Sequence, residues 1–266
     1  MATPLDFSKK TFFLLTGASK GIGATIAIEC GKKFQKGSRM VLLARSSSGL
    51  ENTKQKILSS NPDVQILTFP IDLSAPTEKE LRDVLSSSLS TDAATSFEQA
   101  FVVHNVGTTG DVSKRAKNCN DVKEWQENFT CNVFSVILLN NLFLEVFSAI
   151  RRYVVNITSK CGVDAFEGMA FYGPNKAARE MFFRNLAAEE RADTNLQILN
   201  YAPGPVDTDM LTFVAEKTLS EGIREWYKEG MKSGGVLTTE QTTKRLLGIL
   251  ESGKYESGAH IDYFDE

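Results

Sequence analysis

The stretch Thr16-Gly17-Ala18-Ser19-Lys20-Gly21-Ile22-Gly23 constrains this chain more than any other. It follows the apolar run Phe12-Phe13-Leu14-Leu15 and runs into Ala24-Thr25-Ile26-Ala27-Ile28. That order reads as a buried strand, a glycine turn and a helix. Glycines let a backbone turn tightly and approach a ligand closely. The start of a helix offers unpaired N–H groups and the positive end of its dipole. Together they can cradle a pyrophosphate. The spacing is G-x-x-x-G-x-G, not the commoner G-x-G-x-x-G. Glycine triplets also occur in plain turns, so the rest of the chain decides the meaning of this one.

Apolar, β-branched runs recur at residues 11–15, 39–44, 64–70, 101–105, 153–158, 196–201 and 259–264. Helical patterns lie between them at 22–34, 50–59, 78–88, 122–147, 169–191 and 239–252. Most runs are continuously apolar, as strands buried on both faces should be. The alternation predicts an α/β fold: a single doubly wound, Rossmann-type domain over residues 1–266, with a seven-stranded parallel sheet and helices on both faces. Residues 205–235 break the pattern. They carry Trp226 and Tyr227 and end in Ser233-Gly234-Gly235, which suggests a substrate lid; two surface helices are the plainer alternative.

Composition removes several functions. A net charge of -3 gives no global attraction to nucleic acid or an anionic membrane. The N-terminus has neither the basic nor the apolar region of a signal peptide. The longest apolar run outside the strands, residues 133–139, is too short to cross a bilayer, so a cytoplasmic protein is expected. The 4 cysteines are scattered without a C-x-x-C, and the 2 histidines, His104 and His260, are far apart. Free thiols and no metal site are expected.

The chemistry is carried by strand ends. The second strand closes in Ala44-Arg45-Ser46, where many dinucleotide folds place an acid that binds the ribose 2′-hydroxyl. Here no carboxylate would repel a 2′-phosphate. The Arg45 guanidinium can grip one in a fork, and Lys20 adds a second charge. NADPH/NADP+ is therefore expected over NAD. Asp72, followed by Leu73, can accept from an adenine amino group or merely shape a turn. Asn105 and Gly107 mark a further backbone approach. Ser159 ends the fifth strand. Tyr172 and Lys176 lie four apart, on one helical face, with Pro174 placing Tyr172 at the helix mouth. A phenol titrates near 10, so a neighbouring ammonium is expected to lower it into a useful range.

At these residues the chain resembles the short-chain dehydrogenase/reductase family, over almost its whole length. The resemblance rests on Thr16-Gly17-x-x-x-Gly21-x-Gly23, Asn105-x-Gly107, Asn132, Ser159, Tyr172-x-x-x-Lys176 and Pro203-Gly204. His104 and Val106 depart from the family's Asn-Asn-Ala-Gly. The family implies that Tyr172 donates a proton, Ser159 holds the substrate oxygen and Lys176 holds the nicotinamide ribose as well as tuning Tyr172. It implies that Asn132 fixes a helix distortion and a water that refills the proton. It implies cofactor contacts from Gly17, Ser19, Lys20, Gly21, Ile22, Gly23, Arg45, Ser46, Asp72, Leu73, Asn105, Gly107, Pro203, Gly204 and Val206, besides Tyr172 and Lys176.

Residues 110–114, 200–210 and 257–265, with Lys176-Ala177-Ala178-Arg179, resemble a branch of the family that reduces side-chain ketones of pterins in tetrahydrobiopterin synthesis. That branch implies Asp262 as the pterin anchor beside Ser159 and Tyr172. It also implies a homodimer built on the two long helices, with Phe134, Leu138, Phe182, Phe183 and Leu186 as candidate contacts. A general NADPH-dependent dicarbonyl reductase, and a non-catalytic NADPH sensor, are the alternatives.

Overall fold

The computed structural model describes residues 2–90 and 92–265. Seven strands form one sheet, and every pairing is parallel. They are β1 (Thr11–Thr16), β2 (Arg39–Ala44), β3 (Gln65–Pro70), β4 (Gln99–His104), β5 (Arg151–Ile157), β6 (Leu196–Ala202) and β7 (Ala259–Asp262). Their order across the sheet is β3-β2-β1-β4-β5-β6-β7. The order reverses between β1 and β4, and ligands of open parallel sheets bind beyond the strand ends at such a reversal.

Alternate side chains of each strand feed two cores. Phe13, Leu15, Met40, Leu42, Phe101, Val103, Tyr153 and Val155 pack on one face with Ile26, Leu50, Ile57, Leu246 and Leu250. Those partners come from α1 (Gly21–Lys33), α2 (Ser47–Ser60) and, late in the chain, the helix Thr239–Ser252. Phe12, Leu14, Val41, Leu43, Val102 and Val154 pack on the other face, beneath α3 (Glu78–Leu89) and the two long helical stretches. Covering both faces is what makes the strands continuously apolar.

Element boundaries moved where polar residues are buried. β4 starts at Gln99, not at 101, because Gln99 Nε2 donates to the Asp6 carbonyl at 2.7 Å and to Thr11 Oγ1 at 2.8 Å. β5 starts at Arg151, and the neighbouring Arg152 is neutralised by Asp193. β7 stops at Asp262, short of 264, where Asp262 Oδ1 accepts from Phe264 N and turns the chain.

The stretch expected at 122–147 is two helices around a wide turn. α4 (Val122–Phe129) passes into a π turn, Thr130–Phe134, and then α5 (Ser135–Val146). Taken together, Val122–Val146 is 25 residues long with a mean hydropathy of 1.5 in its most apolar window, enough by length and composition to cross a bilayer. The short run read from the sequence understated it. Its apolarity has a core explanation, since Val136, Leu139, Leu142 and Phe143 are buried against the sheet. The next helix, α6 (Tyr172–Glu189), starts three residues later than expected.

The segment 205–235 holds α7 (Asp209–Lys217) and α8 (Glu221–Ser233), ahead of α9 (Thr239–Ser252). Its ends are zipped by Asp207 N to the Leu237 carbonyl and Leu237 N to the Pro205 carbonyl, both 2.8 Å. Met210, Phe213, Trp226 and Met231 remain exposed on it.

Candidate active site

The carboxyl ends of β1, β4 and β5 bring the sequence motifs into one crevice. The glycine turn leaves β1 and is fastened to the end of β4. Thr16 Oγ1 accepts from Asn105 N at 3.0 Å and Val106 N at 3.1 Å, while Asn105 Nδ2 donates back to the Thr16 and Gly17 carbonyls. Packing leaves no room for side chains here. A Cβ on Gly23 would lie 2.2 Å from the Gly17 carbonyl oxygen, and Gly17, at φ +72°, would push a Cβ to 2.7 Å from Asn105 Nδ2. Gly21 opens α1, whose N-terminus has no side-chain cap and no acid in its first turn, whereas α2, α3, α4, α7, α8 and α9 are all capped by side chains. Bare N–H groups over a tight glycine cradle fit the pyrophosphate of a nicotinamide dinucleotide. Ile22 packs partly into the core behind them.

The remaining expected cofactor residues are mixed in character. Arg45 is exposed at the end of β2 and lies close enough to Asp72 to help hold that carboxyl below its ordinary range, after the Ser74 N–H and hydroxyl. Ser46 caps α2 by accepting from Gly49 N, and Ser19 packs against Gly49. The Leu73 side chain belongs to the core. Lys20 is not a free charge: its Nζ donates to Asp209 of α7 at 2.6 Å, an exposed pair that salt screens. Beyond β6, Pro203 accepts from Thr242, Gly204 adopts φ +72°, and buried Val206 bridges to Leu237 at the base of the α7–α8 segment.

Ser159 caps the short turn after β5, its Oγ accepting from Cys161 N. Tyr172 is the first residue of α6, and Lys176, one turn on, is buried. Lys176 Nζ donates to the Ile157 carbonyl at 2.6 Å and lies 5.3 Å from the centre of the Tyr172 ring. Asn132 sits inside the π turn. Its Oδ1 accepts from Thr108 N at 2.9 Å, and its Nδ2 donates to the Thr108 and Asn128 carbonyls. A Cβ on Gly107 would meet both Asn132 Oδ1 and Lys176 Nζ, so these three groups adjoin.

Desolvation acts on both members of this pair. Burial pushes the Tyr172 phenol up, above the usual tyrosine range, and nearby Cys161 adds to that. Burial, and then the charge of Arg179, hold Lys176 well below the usual lysine range, against a smaller upward pull from Cys161. The cation that pulls Tyr172 back down is Arg179, aided by the Ser159 hydroxyl. Arg179 had entered the sequence reading only as part of a likeness. The signal for it was its place seven residues after Tyr172, on the same helical stripe.

A second cluster was not read from the sequence. Buried Glu180 of α6 accepts from His260 Nδ1 and from Thr158 Oγ1, each at 2.9 Å, directly behind Ser159. Burial pushes Glu180 up, but the His260 and Thr158 bonds outweigh it and hold it below its ordinary value. The Glu180 bond raises His260 above 6.5 against the burial that lowers it, with Asp262 and Asp265 adding to the rise. A raised folded-state value stabilises the protein fully below the unfolded value and loses that contribution as pH climbs through the folded one. The melting temperature is thus expected to fall by roughly 2 °C as pH rises from 6.5 to beyond the His260 titration. His260→Gln should flatten that slope; an identical slope in the variant would show that His260 is not its source.

Asp262, the last residue of β7, pairs in register with Ala202 and is only half-buried.

Known proteins share this architecture and sequence. The cattle (Bos taurus) sepiapterin reductase is 34% identical over 260 residues, covering 97% of this chain and 96% of the relative. The benzil reductase ((S)-benzoin forming) of Bacillus subtilis is 25% identical over 255 residues, 94% of this chain and 97% of the relative. The crystal structure of levodione reductase superposes with a TM-score of 0.79 at 20% identity, covering 95% of each chain, which speaks to the fold. The short chain dehydrogenase family model matches residues 11–219. A match of that extent, on a sheet whose reversal point carries the glycine cradle, makes this chain a member of the short-chain dehydrogenase family, an oxidoreductase working with a nicotinamide cofactor.

Proposed function

We propose that the chain is an NADPH-dependent reductase of the side-chain ketones of pterins, sepiapterin and 6-pyruvoyl-tetrahydropterin, acting in tetrahydrobiopterin synthesis. The observation that carries this reading is 34% identity with a sepiapterin reductase over 97% of the chain, around a complete Ser159, Tyr172 and Lys176 constellation. Bound NADPH supplies the hydride. Ser159 holds the carbonyl oxygen, and Tyr172 gives its phenolic proton to the oxygen as charge develops there. Lys176 holds the nicotinamide ribose. Asn132, held between Thr108 and Asn128, keeps the π turn open beside Lys176. Arg45, with no acid at Ala44, supports NADPH over NADH.

The same reading takes residues 1–266 as one catalytic domain, with 205–235 as a lid hinged where Pro205–Asp207 meets Leu237. It places the enzyme in the cytoplasm. It makes the enzyme a homodimer through α4, α5 and α6, where Phe134 (55% exposed) and Met181 (51% exposed) present apolar surface. Phe183 leaves the set of contact candidates, since it is fully buried and stacks on His104, and Leu138, Phe182 and Leu186 pack partly into the core. Light scattering at micromolar concentration should return twice the chain mass; a monomer would contradict the dimer.

The likeness to benzil reductase supports the second reading, a general diketone reductase. Asp262 separates the two. Its carboxylate can accept together the amino group and ring N–H of a pterin. Asp262→Ala should therefore lower sepiapterin efficiency at least about tenfold, at 1.5–3 kcal/mol per charged hydrogen bond, and leave benzil reduction unchanged. Equal losses for both substrates would assign Asp262 to the fold. Wild type turning over benzil but not sepiapterin would favour the second reading. The sensor alternative has little support, because a sensor has no use for a proton donor set beside Ser159.

A further inference from the structure

A polar row crosses the sheet directly beneath the active site. His104 of β4 is in register with Asn156 of β5, Asn156 with Asn200 of β6, and Asn200 with His260 of β7. The residues preceding the first three, Val103, Val155 and Leu199, are fully buried and apolar. Asn156 Nδ2 donates to Asn200 Oδ1, and Asn200 Nδ2 to the Gly258 carbonyl. The catalytic helix α6 meets this row with two consecutive charged residues. Glu180 takes His260, and Arg179 takes the other end.

Arg179 is fully buried. Its Nε and Nη2 both donate to Asn156 Oδ1, at 2.9 and 2.6 Å; Nη2 also donates to the His104 carbonyl at 2.7 Å, and Nη1 to the Val106 carbonyl at 2.8 Å. Every one of these acceptors is neutral. Burial lowers its pKa to about 10, so it remains a cation at neutral pH. Burying a charge without a counter-ion is costly, and an apolar side chain would attach the helix to the sheet more cheaply. What the guanidinium adds is direction. Its planar fork satisfies three separate acceptors at one height and one rotation of α6. The His104 and Val106 carbonyls bracket Asn105, whose side chain bonds the Thr16 and Gly17 carbonyls of the glycine cradle. Arg179 also shares a stripe with Tyr172 and Lys176.

We infer that Arg179 is a positioning residue: it locks the catalytic helix to the Asn105–Gly107 turn, and so sets Tyr172 and Lys176 in register with the cofactor cradle. The inference rests on the reductase reading above. Misplacing a proton donor by about 1 Å can cost on the order of 10²-fold in rate, so a register lock has a kinetic value that mere adhesion does not.

The test uses Arg179→Met and Arg179→Lys in the full chain, assayed well below their melting temperatures. Affinity for NADPH is read by fluorescence without substrate, and kcat and KM are read with the better of sepiapterin and benzil. Both variants should bind NADPH about tenfold more weakly and lose at least tenfold in kcat, with KM for the ketone changed less than twofold. Lys should fail to rescue, because one ammonium cannot span three acceptors. Folded variants with lower melting temperatures but unchanged NADPH affinity and kcat would make Arg179 structural only and overturn the inference. If neither variant folds, Asn156→Ala decides. It removes two of the four bonds without touching α6, and should weaken NADPH binding and kcat in the same sense; unchanged values would overturn the lock. A wild-type chain that neither binds NADPH nor reduces either ketone would instead defeat the reductase reading, and is told apart by that control.

Discussion

Tyr172→Phe is expected to bind NADPH as wild type does and to lose turnover by ~10²–10⁴-fold, the usual worth of a positioned general acid. The ring stays, so the packing at the mouth of α6 and the contact with Lys176 Nζ stay with it. Only the hydroxyl goes. Lys176 spends a donor on the Ile157 carbonyl, and Ser159 is a far weaker acid than a phenol. Turnover within threefold of wild type would remove Tyr172 from the chemistry. A matched loss of NADPH affinity would mean that the hydroxyl serves binding.

The second large effect concerns cofactor choice. Ala44→Asp with Arg45→Leu should turn preference from NADPH toward NADH, costing NADPH affinity on the order of a hundredfold. Arg45 is exposed at the end of β2 and, among the described residues, makes no ion pair or side-chain hydrogen bond, only a longer-range attraction to Asp72, so its charge is available to a phosphate. Lys20 is not available in the same way, because it is paired with Asp209. Most of the effect is therefore assigned to Arg45 and to the new carboxylate. An unchanged ratio of NADPH to NADH efficiency would place the 2′-phosphate elsewhere.

The parallel sheet and its alternation with helices were legible because burial on both faces writes itself into sequence as unbroken apolar runs. The glycine cradle and the Tyr172–Lys176 pair were legible because spacing alone sets their geometry. Polar groups inside the core were not. Gln99 and Arg152 lengthened two strands by hydrogen bonds to distant residues that no local pattern encodes. The π turn at Thr130–Phe134 came only through the family likeness, since a wide turn leaves apolar periodicity almost unchanged. Spacing places an ammonium beside a phenol but says nothing of the burial of Lys176 or of the Arg179 charge behind the pair, and both act on it. The row from His104 to His260 needs strand register, which exists only once the sheet is assembled.

The central claim is hydride reduction of a pterin side-chain ketone, and one labelling measurement meets it directly. The wild-type chain is supplied with sepiapterin and NADPH deuterated at the transferable position of nicotinamide C4, and the product is analysed by mass spectrometry and NMR. The account predicts one deuterium per product molecule, on the side-chain carbinol carbon, with NADPH consumed in equal amount. Sepiapterin recovered unchanged, or deuterium found on the pterin ring, would contradict it.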